Sequence, residues 1–190
     1  MPTSDPVATS PERVCPLLNG VKIPQVSIKT ADGAPFELMA AVQAKPVVLV
    51  FYRGGWRPHC NRQLVQLRDT ESQFSGLGFQ IIAVSPDQPA KVRETIEKHK
   101  ITFTLLSDSQ MTASRAFRIA YKVDDATLKL LVQNRIDLQA ASGKKHHQLP
   151  VPAVFLVAMN GVIQFEYINP AYTVRAHPIV LLAAASVSRK

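Results

Sequence analysis

The chain has 190 residues, 46% hydrophobic and 19% charged, which describes an ordinary globular protein with room for one domain and a proper core. Its two cysteines, Cys15 and Cys60, exclude a disulfide framework and fit a reducing compartment. The net charge of +8 is scattered, with no basic helix interleaved with exposed aromatics, so no nucleic-acid partner is expected. No run is apolar and long enough to span a bilayer. The N-terminus lacks a charged-then-apolar signal pattern, and a cytoplasmic protein is expected.

Residues 1–17 are rich in Pro, Ser and Thr and are expected to form a flexible arm, with a single domain over 18–190. Val21–Thr30 alternates in part and Ala31-Asp32-Gly33 signals a turn, which suggests a short hairpin or an extended arm. Phe36–Val42 reads as one or two helical turns. Val47–Tyr52 is unbroken by any polar residue and suits a strand buried on both faces. A helix is expected from about Pro58 to Phe74, closed by Gly76 and Gly78.

Phe79–Ser85 reads as a second core strand and Ala90–His99 as a helix with Val92 and Ile96 inward and an i,i+4 pair of Glu94 with Lys98. Thr102–Leu106 reads as a third strand and Met111–Ile119 as a short helix. Asp124 or Asp125 can cap a helix whose inner face carries Leu128, Leu131 and Val132. Leu138–Leu149 reads as a polar loop. Asn160-Gly161 between Val154–Ala158 and Val162–Tyr167 is a two-residue hairpin signal. An apolar helix is expected near Val174–Ser186. Strands alternating with helices, then a hairpin and a helix, imply an α/β sandwich with a mixed sheet.

The chemistry centres on Val47–Leu67. Gly54 and Gly55 break the strand and allow a tight turn, and Pro58 fits the first turn of the following helix. Cys60 then falls in that first turn, where unpaired N–H groups and the helix dipole favour an anion. A thiol so placed tends towards thiolate, the nucleophilic form, and Arg57 can add to the effect. The alternative is that Cys60 is a small buried hydrophobe. Cys60, Leu64, Leu67 and Phe74 share one helical face.

The segment Phe51-Tyr52-Arg53-Gly54-Gly55-Trp56-Arg57-Pro58-His59-Cys60-Asn61 resembles the active-site segment of the alkyl hydroperoxide reductase/thiol-specific antioxidant family, the peroxiredoxin-like branch of the thioredoxin superfamily. The commoner form of this branch reads Trp-Cys-Pro-Tyr-Cys; here Arg57 stands at the first cysteine and Cys60 at the second. The resemblance, over about residues 15–185, implies a thioredoxin-like sandwich with a central mixed sheet. Against the peroxiredoxin pattern Pro-x-x-x-Thr-x-x-Cys, Arg53 takes the proline place, Arg57 the threonine place and Cys60 the place of the peroxide-attacking cysteine. Arg57 cannot copy the threonine's acceptor role, but could stabilise a thiolate or a developing alkoxide by charge.

Without a thiol at 57 no disulfide can form inside the motif, and ordinary dithiol–disulfide exchange is not expected. One-cysteine chemistry remains: attack of Cys60 on a hydroperoxide or exchange with a small thiol, with an external thiol as reductant. The other reading is a redox-degenerate module that binds a partner without turnover. Cys15 is a candidate resolving cysteine, although it lies far away in sequence. The resemblance also implies a cis Val151–Pro152 bond beside Cys60, with the Val151 backbone free to pair with a bound peptide or thiol. Many peroxiredoxins carry an arginine near this place; none stands there here, which leaves Arg53 and Arg57 as local substitutes. Trp56 is expected to pack over the turn or form a docking surface, and His59 to sit beside Cys60. His146-His147 belong to a solvated loop, because adjacent histidines point apart and no further ligands are evident. No dinucleotide or phosphate-loop motif is present, so no cofactor is expected.

Overall fold

The computed structural model describes residues 7–188. Its centre is β3 (Val47–Phe51), buried at every position. It runs parallel to β4 (Gln80–Ser85), pairing Val47 with Gln80 and Phe51 with Val84. On its other side it runs antiparallel to β8 (Ala153–Val157), pairing Phe51 with Ala153. β5 (Thr104–Ser107) lies parallel to β4, and β9 (Ile163–Ile168) antiparallel to β8. β1 (Ser27–Thr30) and β2 (Pro35–Glu37) form a hairpin that joins the far edge through β5. The result is a mixed seven-stranded sheet in the order β2-β1-β5-β4-β3-β8-β9, with a separate pair of β6 (Ala120–Lys122) and β7 (Gln148–Pro150).

The two-residue period of the strands splits the core in two. Val48, Val50 and Tyr52 face one layer with Leu64, Leu67, Phe74 and Leu181. Val47, Leu49 and Phe51 face the other with Leu38, Phe117 and Phe155. The first layer is covered by α2 (Pro58–Asp69), α3 (Glu71–Gly76), α4 (Pro89–His99) and α8 (Pro178–Val187), and the second by α1 (Leu38–Ala44) and α5 (Thr112–Ala116). A third cluster joins Tyr121, Leu131, Leu149 and Val151, with Trp56, Val14 and Ala8 packed against it. It takes in α6 (Asp125–Gln133) and α7 (Leu138–Ser142). Ala8 bridges Tyr121, and the Lys122 N–H donates to the Ala8 carbonyl at 2.8 Å.

Several expectations change. The helix expected over Pro58–Phe74 breaks at Thr70. Its hydroxyl bonds back to the Gln66 and Leu67 carbonyls at 2.9 and 3.2 Å, an alternative to continuing the helical ladder. The stretch expected as a polar loop contains α7 and β7: Asp137 caps α7 by accepting from the Gln139 and Ala140 N–H groups, and Gly143 closes it left-handed. Val132 is 67% exposed rather than inward, because Leu131 takes the buried position on α6. Glu94 pairs with Lys91 one turn earlier, at 2.8 Å, rather than with Lys98. Among the described residues no helix is long and apolar enough to cross a membrane.

Candidate active site

Parallel pairing of β3 and β4 brings their C-terminal ends together, and ligands in such sheets bind beyond the strand ends. After β3 the chain turns through Gly54, at φ +138°, and Gly55. After β4 it turns through Asp87, which is buried and accepts the Gly55 N–H at 2.7 Å. Asn61 donates to the Gly55 carbonyl at 2.8 Å, which ties the turn to α2. No side chain fits at either glycine. A Cβ on Gly54 would lie 2.2 Å from Trp56 Nε1 and 2.8 Å from Asp87 Oδ1, and one on Gly55 only 1.9 Å from Thr95 Oγ1. Burial raises the Asp87 carboxyl to about 6, opposed most strongly by the Gly55 hydrogen bond.

The turn delivers Arg57 as the residue before α2, with Pro58 in its first turn and Cys60 two positions on. Cys60 is a free thiol, fully buried, and packs in the layer that holds Tyr52, Leu64 and Val154. Among the described residues its one hydrogen bond from a side chain comes from Arg175, whose Nη2 donates to the sulfur at 3.4 Å. Arg175 comes from the coil between β9 and α8 and is anchored by its Nη1, which donates to the Tyr172 and Val174 carbonyls. An arginine from another segment thus stands beside the sulfur, where the sequence offers none near Pro152. No local pattern announces it, since the coil has no periodicity; its only signal is a lone cation preceding an apolar helix.

The Tyr172 ring gathers three of the other predicted residues, Arg53, Arg57 and His59. The Arg53 guanidinium lies 4.7 Å from its centroid and that of Arg57 4.4 Å, while His59 meets it edge-on at 6.2 Å. Arg57 also lies 5.2 Å over the Trp56 ring, so it stacks on two aromatic faces instead of pointing into solvent. Arg53 is only 3% exposed. Burial pulls its guanidinium below the usual arginine range; Tyr121 opposes that shift and Arg57 adds to it. Burial in turn raises the Tyr121 phenol, against the pull of both arginines. Trp56 is half-buried and packs against the third cluster, and it lines a cavity of about 370 Å³ with Asp87, Thr95 and Arg135.

Every described peptide bond is trans, including Val151–Pro152, contrary to the cis bond that the resemblance implies. Hydrogen bonds on both sides hold this segment extended: the Val151 N–H donates to the Ile119 carbonyl at 2.8 Å, and the Pro152 carbonyl accepts from Asn169 at 3.3 Å. Val151 and Pro152 are both buried. Pairing of the Val151 N–H with a bound peptide would require breaking its bond to Ile119. Cys15 is exposed and lines a separate cleft of about 270 Å³ with Arg13, Arg115 and Arg118, a cleft to which Cys60 does not contribute. His146 Nε2 lies 3.0 Å from the Ser109 carbonyl and His147 Nε2 2.7 Å from Gln139 Nε2.

The AhpC/TSA family model matches residues 19–166. The chain belongs to the AhpC/TSA family. Among curated members, it is 34% identical over 84 residues to the putative peroxiredoxin bcp of Haemophilus influenzae, covering 44% of this chain and 54% of that protein. It is 33% identical over 85 residues to chloroplastic peroxiredoxin Q of Populus jackii, covering 45% and 39%. The matches thus span about half or less of these relatives' own lengths. Among solved structures, peroxidoxin BcpB of Mycobacterium tuberculosis superposes with a TM-score of 0.72 at 19% identity, over 90% of this chain and 98% of that one. Reduced Prx3 of Vibrio vulnificus in complex with H2O2 gives 0.73 at 14% identity, over 89% and 96%. At these identities the likeness establishes the peroxiredoxin-type thioredoxin-like fold for this AhpC/TSA member.

Proposed function

We propose that this chain is a thiol-dependent peroxidase in which Cys60 is the reacting sulfur. The observation that carries this reading is the Arg175 guanidinium 3.4 Å from the Cys60 sulfur. A guanidinium at that distance can donate to the sulfur and to the oxygen of a departing alkoxide. The kinship with proteins named peroxiredoxin gives the reaction class. In that reaction the Cys60 thiolate attacks the terminal oxygen of a hydroperoxide. The O–O bond breaks, the sulfur becomes a sulfenic acid, and the other oxygen leaves as an alcohol or water after taking a proton. Arg57, standing at the first cysteine place of the commoner motif, offers no second thiol, so an external thiol returns the sulfur to its reduced state. Arg57, half-buried against Tyr172, contributes positive charge beside the site, with Arg53 buried behind the same ring and His59 edge-on to it. A cytoplasmic thiol pool would supply the reductant.

A second reading has its own support. Cys60 is fully buried, as a degenerate module that binds without turnover would tolerate. The test uses stoichiometric peroxide with a sulfenic-acid trap, on the parent chain and on Cys60→Ser and Cys15→Ser. Fast labelling that vanishes only in Cys60→Ser supports the peroxidase. Labelling no faster than that of a free thiol, and unchanged in Cys60→Ser, would overturn it in favour of the binding module.

A further inference from the structure

Arg53, Arg57 and Arg175 meet around Tyr172 and Cys60. Every salt bridge found among the described residues lies elsewhere: Arg68–Asp69, Lys91–Glu94 and Arg93–Asp32. The Nε atoms of all three clustered arginines are buried and lack a hydrogen-bond partner. Arg53 is the sharpest case, since it is almost wholly buried and its neighbours are the Tyr121 phenol, the Arg57 guanidinium, the Cys60 thiol and the Tyr172 ring, with no carboxylate among them. Even with Cys60 as a thiolate, three guanidiniums would share a single counter-charge; burying cations short of counter-charge is costly, and desolvated guanidiniums recognise carboxylates through their paired donors. The arrangement is that of a site completed by an anion.

The missing anion has a natural source in the chemistry. Cys60 has no thiol beside it, because Arg57 stands one turn earlier and Cys15 lies in a different cleft. We infer that the reductant is a low-molecular-weight thiol bearing carboxylates, drawn in by Arg53 and Arg57 beside Tyr172. This rests on the peroxidase reading above. The thiol's sulfur attacks the sulfenic sulfur, an S–S bond forms, the S–O bond breaks and water leaves. A second such thiolate attacks the small-molecule sulfur of the mixed disulfide. That step releases a symmetrical disulfide and the Cys60 thiolate, with both reducing electrons supplied by the two thiols. Entry is from the side of Tyr172, where Arg57 and His59 are half-buried and Tyr172 itself is 36% exposed.

The experiment uses the full chain carrying Cys15→Ser, so that Cys60 is the only thiol. In the first arm, the reduced protein reacts with a carboxylate-bearing disulfide, dithiobis(nitrobenzoate), and with the neutral dithiodipyridine. In the second, the peroxide-oxidised protein is recycled with N-acetylcysteine, with its neutral methyl ester or with cationic cysteamine. The third compares oxidation by a carboxylate-bearing hydroperoxide and by neutral tert-butyl hydroperoxide. The expected result, after correction for each reagent's rate with a free thiol, is roughly tenfold or greater preference for the anionic disulfide and thiol at low salt, reduced by high salt. The preference should be lost in Arg57→Gln and retained in Arg57→Lys, which keeps the charge. Equal rates, a preference for cysteamine, or no reaction of Cys60 with either disulfide would overturn the inference. A charge preference confined to the hydroperoxides would overturn it in favour of an anionic oxidant. Cys60 that ignores peroxide yet keeps the anionic preference in the first arm would sink the peroxidase reading, and with it the reductant role, while leaving the anionic thiol site standing.

Discussion

Arg175 and Cys60 are 115 residues apart in the chain and meet at 3.4 Å between Nη2 and the sulfur. The contact depends on the anchoring of Nη1 by the Tyr172 and Val174 carbonyls, so one planar guanidinium holds the coil and faces the thiol at once. Hydrogen bonds to charged groups contribute about 1.5–3 kcal/mol, which corresponds to roughly 10- to 100-fold in rate. Arg175→Met is therefore expected to slow peroxide modification of Cys60 by about that factor. Arg175→Lys should restore only part of it, because an ammonium cannot bridge carbonyl and sulfur in the same fork geometry. Stopped-flow oxidation with mass-spectrometric assignment to Cys60 reads both. An unchanged rate in Arg175→Met would show that the contact does not serve the reaction.

The turn that carries Arg57 and Cys60 is held from beneath by Thr95. Gly55→Ala would place a Cβ 1.9 Å from Thr95 Oγ1, and 3.2 and 3.3 Å from its Cβ and Cγ2. Thr95 is buried on α4 and its hydroxyl also donates to the Lys91 carbonyl, so the side chain has little freedom to yield. Overpacking of this kind costs about 1–3 kcal/mol. Gly55→Ala is expected to lower the urea midpoint accordingly, and adding Thr95→Ala should recover a large part by removing Oγ1 and Cγ2. If the double variant is no more stable than Gly55→Ala alone, the clash is not the cause.

Much of this fold was legible because it rests on local signals. The unbroken apolar run over Val47–Phe51 gave the buried central strand, Asn160-Gly161 the β8–β9 hairpin, and Ala31-Asp32-Gly33 the turn of β1–β2. Asp124, one of the two caps that the sequence left open, caps α6 through the Thr127 N–H. Asp137 and Gly143 carried equally good cap signals for α7, but the helix between them is only five residues, too short for its periodicity to stand out. The glycine turn and Cys60 at the head of α2 were legible for the same local reason. What a linear reading could not give is what folds onto them: Asp87 beneath Gly55, Tyr172 between two arginines, and Arg175 against the sulfur. Each is a long-range contact made by a residue whose own neighbourhood is coil.

On the sheet face opposite Cys60, Phe117 fits between Phe51 and Phe155, with ring centroids 5.0 and 5.2 Å apart. It is fully buried at the end of α5. Removing such a ring costs about 3–5 kcal/mol, through lost transfer energy and the cavity left behind. Phe117→Ala should lose that much in urea unfolding, and Phe117→Leu distinctly less. A loss under about 1 kcal/mol would mean that the site collapses onto the gap or that the packing is loose.

Asp87 makes the Gly54–Gly55 turn sensitive to pH in a direction opposite to that of a paired surface carboxylate. Its carboxyl titrates at about 6 when folded, raised chiefly by burial from the ordinary 3.8. Between these values the folded chain holds a proton that the unfolded chain has released. The folded state then binds more protons, so stability falls as pH rises from about 4 to about 6 and levels off above. A rise of this size corresponds to about 3 kcal/mol for the group, as an order of magnitude. Asp108, also buried and titrating at about 6, adds a parallel contribution. Comparing the parent with Asp87→Asn isolates the first carboxyl, since the amide oxygen can still accept the Gly55 N–H and carries no charge at any pH. Urea unfolding at about pH 4.5 and about pH 7 should show Asp87→Asn gaining on the parent as pH rises. If the two stability curves run parallel across that range, Asp87 titrates no differently in the folded chain than in the unfolded one, and the charge beneath Gly55 imposes no such cost.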